Sequence, residues 1–272
     1  MTAIRRKKVN VPTLIGRGIT MLILIGLSIL VLIPLVWTVC MALKPAGEIY
    51  NGRFFPTTLV WGNFVEAVTS IDFFQYLLNT LKVVIPNVIG QVISCSLVAY
   101  GFSRYNFKGK RVWFLILLAT MMIPGQITMI PQFLLYREMG WVNTYLPLTV
   151  PAFFATSGIP RDFDEAATID GAGPIRNFTQ IMMPMCKPVL TAITVFTFMG
   201  SWNDFNGPLI YLYDANKYTL SLGLSFFKGL YTSKWNLLMA ATVLVMLPVL
   251  VLFFIAQDYI IDGISISSGT KG

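Results

Sequence analysis

Residues 18–43 carry no charged side chain, and they follow directly on the basic cluster Arg5-Arg6-Lys7-Lys8 and Arg17. About 20 apolar residues suffice for a helix to cross a hydrocarbon layer roughly 30 Å thick. The run is longer than the roughly 7–15-residue apolar core of a cleaved signal peptide, and no A-x-A-like site follows it. Val39 also stands where a lipoprotein signal needs a small residue ahead of its cysteine, Cys40. The segment reads as an uncleaved first membrane span.

Four further stretches have the same character. Residues 77–102 hold only Lys82, close to their start; 112–136 are charge-free between Arg111 and Arg137; 188–213 hold only Asp204; and 235–257 are charge-free between Lys234 and Asp258. A sixth candidate, 145–159, is apolar but contains Pro147 and Pro151. Its fifteen residues reach about 22 Å as a helix, and each proline removes a backbone donor that lipid cannot replace. Composition agrees with a membrane bundle: 56% of the 272 residues are hydrophobic and 12% charged, against roughly 25% charged in soluble domains. That balance argues against a soluble enzyme. The absence of histidine removes most metal sites and every imidazole-dependent catalytic group. Three scattered cysteines (Cys40, Cys95, Cys186) form no disulfide framework or CxxC metal site.

The net charge of +8 is explained by loop asymmetry rather than by nucleic acid. With six spans and the N-terminus inside, the internal segments carry Arg5, Arg6, Lys7, Lys8, Arg17, Arg104, Lys108, Lys110, Arg111, Arg161, Arg176, Lys187 and Lys271. The external side holds Lys44, Arg53, Lys82, Arg137, Lys217, Lys228 and Lys234. Omitting the short span shrinks this bias, so the charge rule favours six spans with both termini cytoplasmic. The organisation is then a basic cytoplasmic segment over 1–17, a single transmembrane domain over 18–260 and a cytoplasmic tail over 261–272. The external segments are too small to fold a catalytic domain.

The longest cytoplasmic segment, 160–188, is organised unlike the others. Pro160 suits a first helical turn, and Asp162, Asp164 and Glu165 put negative charge at the positive end of a helix dipole. Phe163, Ala166, Ala167 and Asp170 share one face, and Gly171 and Gly173-Pro174 stop the helix. A second amphipathic helix follows, with Ile175, Phe178, Met182 and Met185 on one stripe, ending near Pro184 and Pro188. Physically this is a helix, a glycine turn and a helix, suited to a partner groove or to the lipid headgroups.

The loop resembles the EAA motif of ABC importer membrane subunits, EAA-x3-G-x9-I-x-L-P. Glu165, Ala166, Ala167, Gly171, Ile181 and Pro184 match at the motif spacing, and Met183 replaces the leucine, a volume-conserving change. Ala99-Tyr-Gly-Phe-Ser-Arg104, Met122-Ile-Pro124 with Ile130-Pro131, Ser201-Trp-Asn-Asp-Phe205, Ala256-Gln-Asp-Tyr259 and Gly269-Thr-Lys-Gly272 extend the likeness along nearly the whole chain, toward the carbohydrate-importing branch. There the chain is most similar to the smaller membrane subunit of maltose-type systems. The resemblance implies an all-α integral membrane protein with six transmembrane helices of the ABC type I importer fold and a cytoplasmic coupling helix. It implies a non-catalytic permease of the prokaryotic plasma membrane that translocates a sugar or oligosaccharide delivered by an external binding protein. Its implied partners are a second, homologous permease subunit, two ATP-binding cassette subunits and an extracytoplasmic solute-binding protein. ATP and Mg would be bound by the cassette subunits and no cofactor by this chain. ATPase coupling falls on Glu165, Ala166, Ala167, Asp170, Gly171, Ile181 and Pro184, with a weaker tail contact at Lys271 and Gly272. The likeness departs at the fourth span, where Tyr145 reaches Pro160 about one-third of a span sooner than in the family.

Asp204 is the only acid inside a span and reads either as an interfacial cap or as a substrate-path residue. Beside it, Trp202 and Asn203 could stack on and hydrogen-bond a sugar, or belong to an aromatic belt with a polar neighbour. Lys82 is expected to snorkel to the external headgroups. No GxxxxGK[ST] phosphate loop is present, Gly109-Lys110 being followed by Arg111, so uphill transport needs a partner ATPase or an ion gradient. The alternative to an ABC permease is therefore an ion-coupled secondary transporter or channel subunit. Such a protein is expected to carry mid-membrane ionisable residues and an internal repeat, and the sequence has neither.

Overall fold

The computed structural model describes residues 11–154, 174–229 and 234–269, and these are organised as helices and their connections. The chain divides into two compact units, Met1–Ala67 with Phe227–Val243, and Val68–Phe226 with Leu244–Gly272.

In the first unit, α1 (Val11–Ala42) has the length and composition of a span. Every side chain from Gly16 to Pro34 is exposed, as suits a helix that meets hydrocarbon. Its C-terminal carbonyls are capped from α2 (Gly62–Thr69): the buried Asn63 donates its amide to the carbonyls of Ala42 (2.8 Å) and Lys44 (2.9 Å). Asn236 in turn donates to Asn63 Oδ1 (3.2 Å). Lys44, read from sequence as an external surface charge, is buried, with its ammonium on the Arg53 carbonyl.

The second unit is built on α3 (Phe73–Arg104), which also qualifies as a span but has half of its most apolar stretch buried. The charge-free stretch 112–136 does not form one straight helix. It is split into α4 (Lys110–Met121) and α5 (Gly125–Glu138), bent by 96°. Pro124 supplies no backbone donor and drives Ile123 away from helical geometry, so the ladder stops there. Next come α6 (Leu146–Thr149) and a 3-10 turn over Val150–Phe154. They stand where a fourth span was expected, whose remaining residues lie outside the described ones.

After residue 173 the chain forms α7 (Pro174–Arg176), a π-helical turn over Asn177–Met182 and α8 (Met183–Met185). A bend of 74° separates this segment from α9 (Lys187–Trp202). The expected span 188–213 is also interrupted, because α9 ends at Trp202 and α10 covers Asn206–Tyr211. A short α11 (Leu220–Gly223) precedes α12 (Trp235–Gly269), whose stretch Trp235–Asp258 is long and apolar enough to cross a membrane. Among the described residues, three helices thus qualify as spans singly, and five segments do if each bent pair counts as one.

The core of the second unit gathers Phe73, Tyr76, Val84, Trp202, Leu220 and Val245. Close approach is built in at Gly90, where a Cβ would stand 2.8 Å from the Phe153 ring, and at Gly223, where it would collide with Tyr76.

Candidate functional site

Of the residues assigned to ATPase coupling, Glu165, Ala166, Ala167, Asp170 and Gly171 lie outside the described residues, as do Lys271 and Gly272 of the tail. The outgoing half of the motif is described. Ile181 falls within the π turn and Pro184 is exposed in α8. Phe178 meets the ring of Tyr100 at 5.2 Å, close to the end of α3, and Met182 is buried. Arg176 Nε donates to Gln180 Oε1 (2.9 Å) along the exposed side. A π turn carries an extra residue per turn and so rotates the side chains that follow it; such turns concentrate at functional positions. Here it lies between the motif glycine and α9.

The Trp202–Asp204 group is divided by the structure. Trp202 is 2% exposed, donates its indole N–H to the Val245 carbonyl (3.0 Å) and stacks on Phe198 at 5.2 Å. Its ring belongs to the core and presents no face for a sugar. Asn203 is exposed, with its amide on the Met199 carbonyl (2.8 Å) and its own carbonyl accepting from Ser221 Oγ (3.2 Å). Asp204 accepts the Gly207 N–H at 3.1 Å. This is the capping role: a carboxylate satisfies one orphan donor at the start of α10. A cavity of about 270 Å³ beside Trp202 is lined by Phe73, Leu77, Leu220, Leu244 and Val245. Its walls are hydrocarbon, which does not suit a polar solute.

The polar residues inside α3 were missed by counting charges. Asn79, fully buried, donates to the carbonyls of Asn216 (2.7 Å) and Tyr218 (3.1 Å). Thr80 Oγ accepts the Leu220 N–H (2.8 Å). Further along, Asn87 Nδ2 donates to Ser201 Oγ at 3.0 Å. The signal was present as amides and hydroxyls recurring at helical spacing within a run that carries a single charge, Lys82.

One connection in the second unit is held by an unusual backbone. Asn143 has φ of +62°, a left-handed conformation that asparagine tolerates better than most residues. Its Oδ1 accepts the N–H groups of Tyr213 (3.1 Å) and Asp214 (3.2 Å), and its Nδ2 donates to the Asp214 carboxylate (2.8 Å). Lys217 reaches both the Asn143 carbonyl (2.9 Å) and Asp214 (3.1 Å). The hydrogen bond from Asn143, then the hydrogen bond and charge of Lys217, hold the Asp214 carboxyl below the usual aspartate range.

The family described as binding-protein-dependent transport system inner membrane component matches residues 91–266. The chain belongs to that family. The match takes in the π turn and all of α9 to α11. Curated relatives include the arabinooligosaccharides transport system permease protein of Halalkalibacterium halodurans, 31% identical over 261 residues, covering 90% of this chain and 93% of that one. The diacetylchitobiose uptake system permease protein of Streptomyces coelicolor is 32% identical over 263 residues, with 91% and 86% covered. The melibiose/raffinose/stachyose import permease protein of Bacillus subtilis is 32% identical over 253 residues, with 88% and 91% covered. Among solved structures, a chain of a bacterial ABC transporter involved in the import of the acidic polysaccharide alginate superposes with a TM-score of 0.73 at 21% identity. That superposition covers 93% of this chain and 99% of the other, and it shows that the fold is the permease fold of ABC importers. As a member of the family, the chain is a membrane-embedded permease subunit of a binding-protein-dependent importer, a context that includes ATPase and solute-binding partners.

Proposed function

We propose that the chain is one of two homologous permease subunits of an ATP-driven importer of a neutral sugar or oligosaccharide. The observation that carries this reading is the EAA spacing from Glu165 to Pro184, which falls inside the family-matched stretch. The carbohydrate class is supported by relatives whose names specify arabinooligosaccharides, diacetylchitobiose and melibiose-type sugars. In this reading six spans cross the membrane with both termini cytoplasmic, in line with the excess of internal Lys and Arg. In the same reading the 161–183 loop acts as the coupling helix and fits a groove of an ATP-binding cassette subunit. ATP and Mg are bound by the two cassettes, whose closure pulls the loop and rocks the bundle. Ala166 and Ala167 allow close approach, Glu165 supplies a charged contact, and Gly171 provides the turn. Lys271 and Gly272 add a tail contact.

Replacing Gly171 with valine tests the coupling. A glycine closing a helix commonly takes positive φ, which a β-branched side chain tolerates poorly, at roughly 1–2 kcal/mol. Gly171→Val is expected to abolish transport while membrane insertion persists. Glu165→Ala should be milder, since an exposed charge contact contributes about 0–1 kcal/mol. The readouts are ATPase activity stimulated by the binding protein and copurification of the cassette subunit. Wild-type stimulation and transport in Gly171→Val would show that the loop is merely interfacial.

A further inference from the structure

We propose that Asn87 and Ser201 form a water-lined contact for an uncharged, hydroxyl-bearing solute about halfway across the membrane. The proposal rests on the carbohydrate-import reading for the class of solute and on the α3–α9 geometry for the place.

Depth comes from α3 itself. Asn87 lies fourteen residues from the first residue of α3, Phe73, and seventeen from its last, Arg104, so about 21 Å and 26 Å of helix lie on either side at 1.5 Å per residue. α9 runs antiparallel to it. Trp202 joins Phe73, Tyr76 and Val84 in one cluster, while Tyr100 at the other end of α3 meets Phe178 just ahead of α9. Asn87 does not point toward the exposed apolar side of α3. Ile85 is 53% and Ile89 49% exposed, and at 100° per residue each is turned about 160° from Asn87. The asparagine therefore faces inward, between α9 and the turn that carries Phe153.

The pair leaves polar capacity open. The single bond from Asn87 Nδ2 to Ser201 Oγ uses one of two amide hydrogens. Among the described residues, the Asn87 carboxamide oxygen accepts no hydrogen bond and the Ser201 hydroxyl donates none. The Asn87 oxygen is not sealed, since Thr219 Oγ is the one buried side-chain polar atom without a partner among the described residues. Both residues are half-buried. Within a membrane, an unpartnered amide or hydroxyl is tolerated where it meets water or a polar ligand, not where it meets hydrocarbon. Thr197 and Thr194 continue the same face of α9 inward, four and seven residues before Ser201. Just outward, α9 breaks at Asn203, and interrupted helices with irregular backbone at membrane depth are the usual place for solute contacts in transporters. An acceptor, amide donors and a hydroxyl, with no charged side chain among them, match the hydroxyl groups of a neutral sugar. The indole of Trp202 takes no part, being committed to Val245.

Cysteine accessibility in the assembled complex tests this. With Cys40, Cys95 and Cys186 replaced, single cysteines at Asn87, Ser201 and Ile85 are exposed in proteoliposomes to a charged methanethiosulfonate reagent. Asn87→Cys and Ser201→Cys should react at least tenfold faster than Ile85→Cys. Arabinotriose, diacetylchitobiose and raffinose, each with its binding protein, serve as probes, and a sugar that is taken up should slow both reactions severalfold. Asn87→Leu should lower uptake of that sugar at least tenfold per assembled complex, and Asn87→Gln less. Rates at 87 and 201 as slow as at 85 would overturn the proposal and leave a dry tie between helices. A transported sugar that slows neither reaction would overturn the solute contact. If none of the three sugars is taken up while 87 and 201 still react rapidly, the carbohydrate reading fails and the water-lined polar contact stands.

Discussion

Two helices of this chain qualify as spans by the same test and are built for opposite surroundings. From Gly16 to Pro34, α1 exposes every side chain, and its hydroxyls there, Thr20 and Ser28, bond back to their own helix at Gly16 and Leu24. α3 has half of its most apolar stretch buried and spends Asn79, Thr80 and Asn87 on other segments. Lipid hydrocarbon is as apolar as leucine, so apolarity alone does not hold one span to another. Packing and interhelical hydrogen bonds do that. The comparison teaches that hydropathy finds a span, while its amides and small residues tell which face meets protein.

The contrast can be broken most directly at the buried aromatic. Trp202→Ala should destabilise the chain by about 3–5 kcal/mol, since it leaves a cavity and removes the indole hydrogen bond to the Val245 carbonyl. Leu24→Ala on the exposed face of α1 should change stability by less than about 0.5 kcal/mol. Thermal unfolding of the full chain in detergent measures both, and equal losses would show that α1 is as firmly packed as the α9 terminus.

Glycines give a second, smaller contrast. Gly90→Val drives a branched side chain into the Phe153 ring and should cost about 1–3 kcal/mol. Gly26→Val in α1 meets nothing within 4 Å and should be close to neutral by the same measurement. Asn79→Ala should cost about 1–2 kcal/mol by removing two buried hydrogen bonds, with Asn79→Asp no better because it loses the donors.

The first helix, the course of α3 and the start of α12 were legible because apolar runs with at most one charge leave one structural option in lipid. The bend between α4 and α5 was not, although Pro124-Gly125 is a breaker pair in plain view, because charge counting is blind to backbone donors. Trp202 was ambiguous for a related reason: an indole suits a membrane interface, a sugar or a core equally, and only the Val245 carbonyl decides. Asp204 was legible only as a choice between a cap and a substrate-path residue, and the Gly207 N–H it accepts shows the cap. The EAA loop was visible as spacing alone. Its meaning came through resemblance, since an amphipathic helix at a membrane surface has several physical uses.

The smallest expected effect concerns pH. Asp214 is held below the usual aspartate range by Asn143 and Lys217, so its contribution to stability is complete above that range and fades as pH falls through its lowered folded value. Asn143→Ala should move the Asp214 titration upward and flatten the acid limb of a stability profile slightly. Being exposed, the clasp should shift the profile little, and an unchanged Asp214 titration in Asn143→Ala would sever the link.

The central claim is that this permease moves its solute by coupling to ATP hydrolysis through partner subunits. The direct measurement is uptake into proteoliposomes holding this chain with its companion permease and cassette subunits, with loaded binding protein outside and ATP with Mg inside. Uptake should require both ATP and the binding protein and should persist when ionophores collapse every ion gradient. Uptake that continues without ATP and stops with the ionophore would contradict the account and identify a gradient-driven carrier.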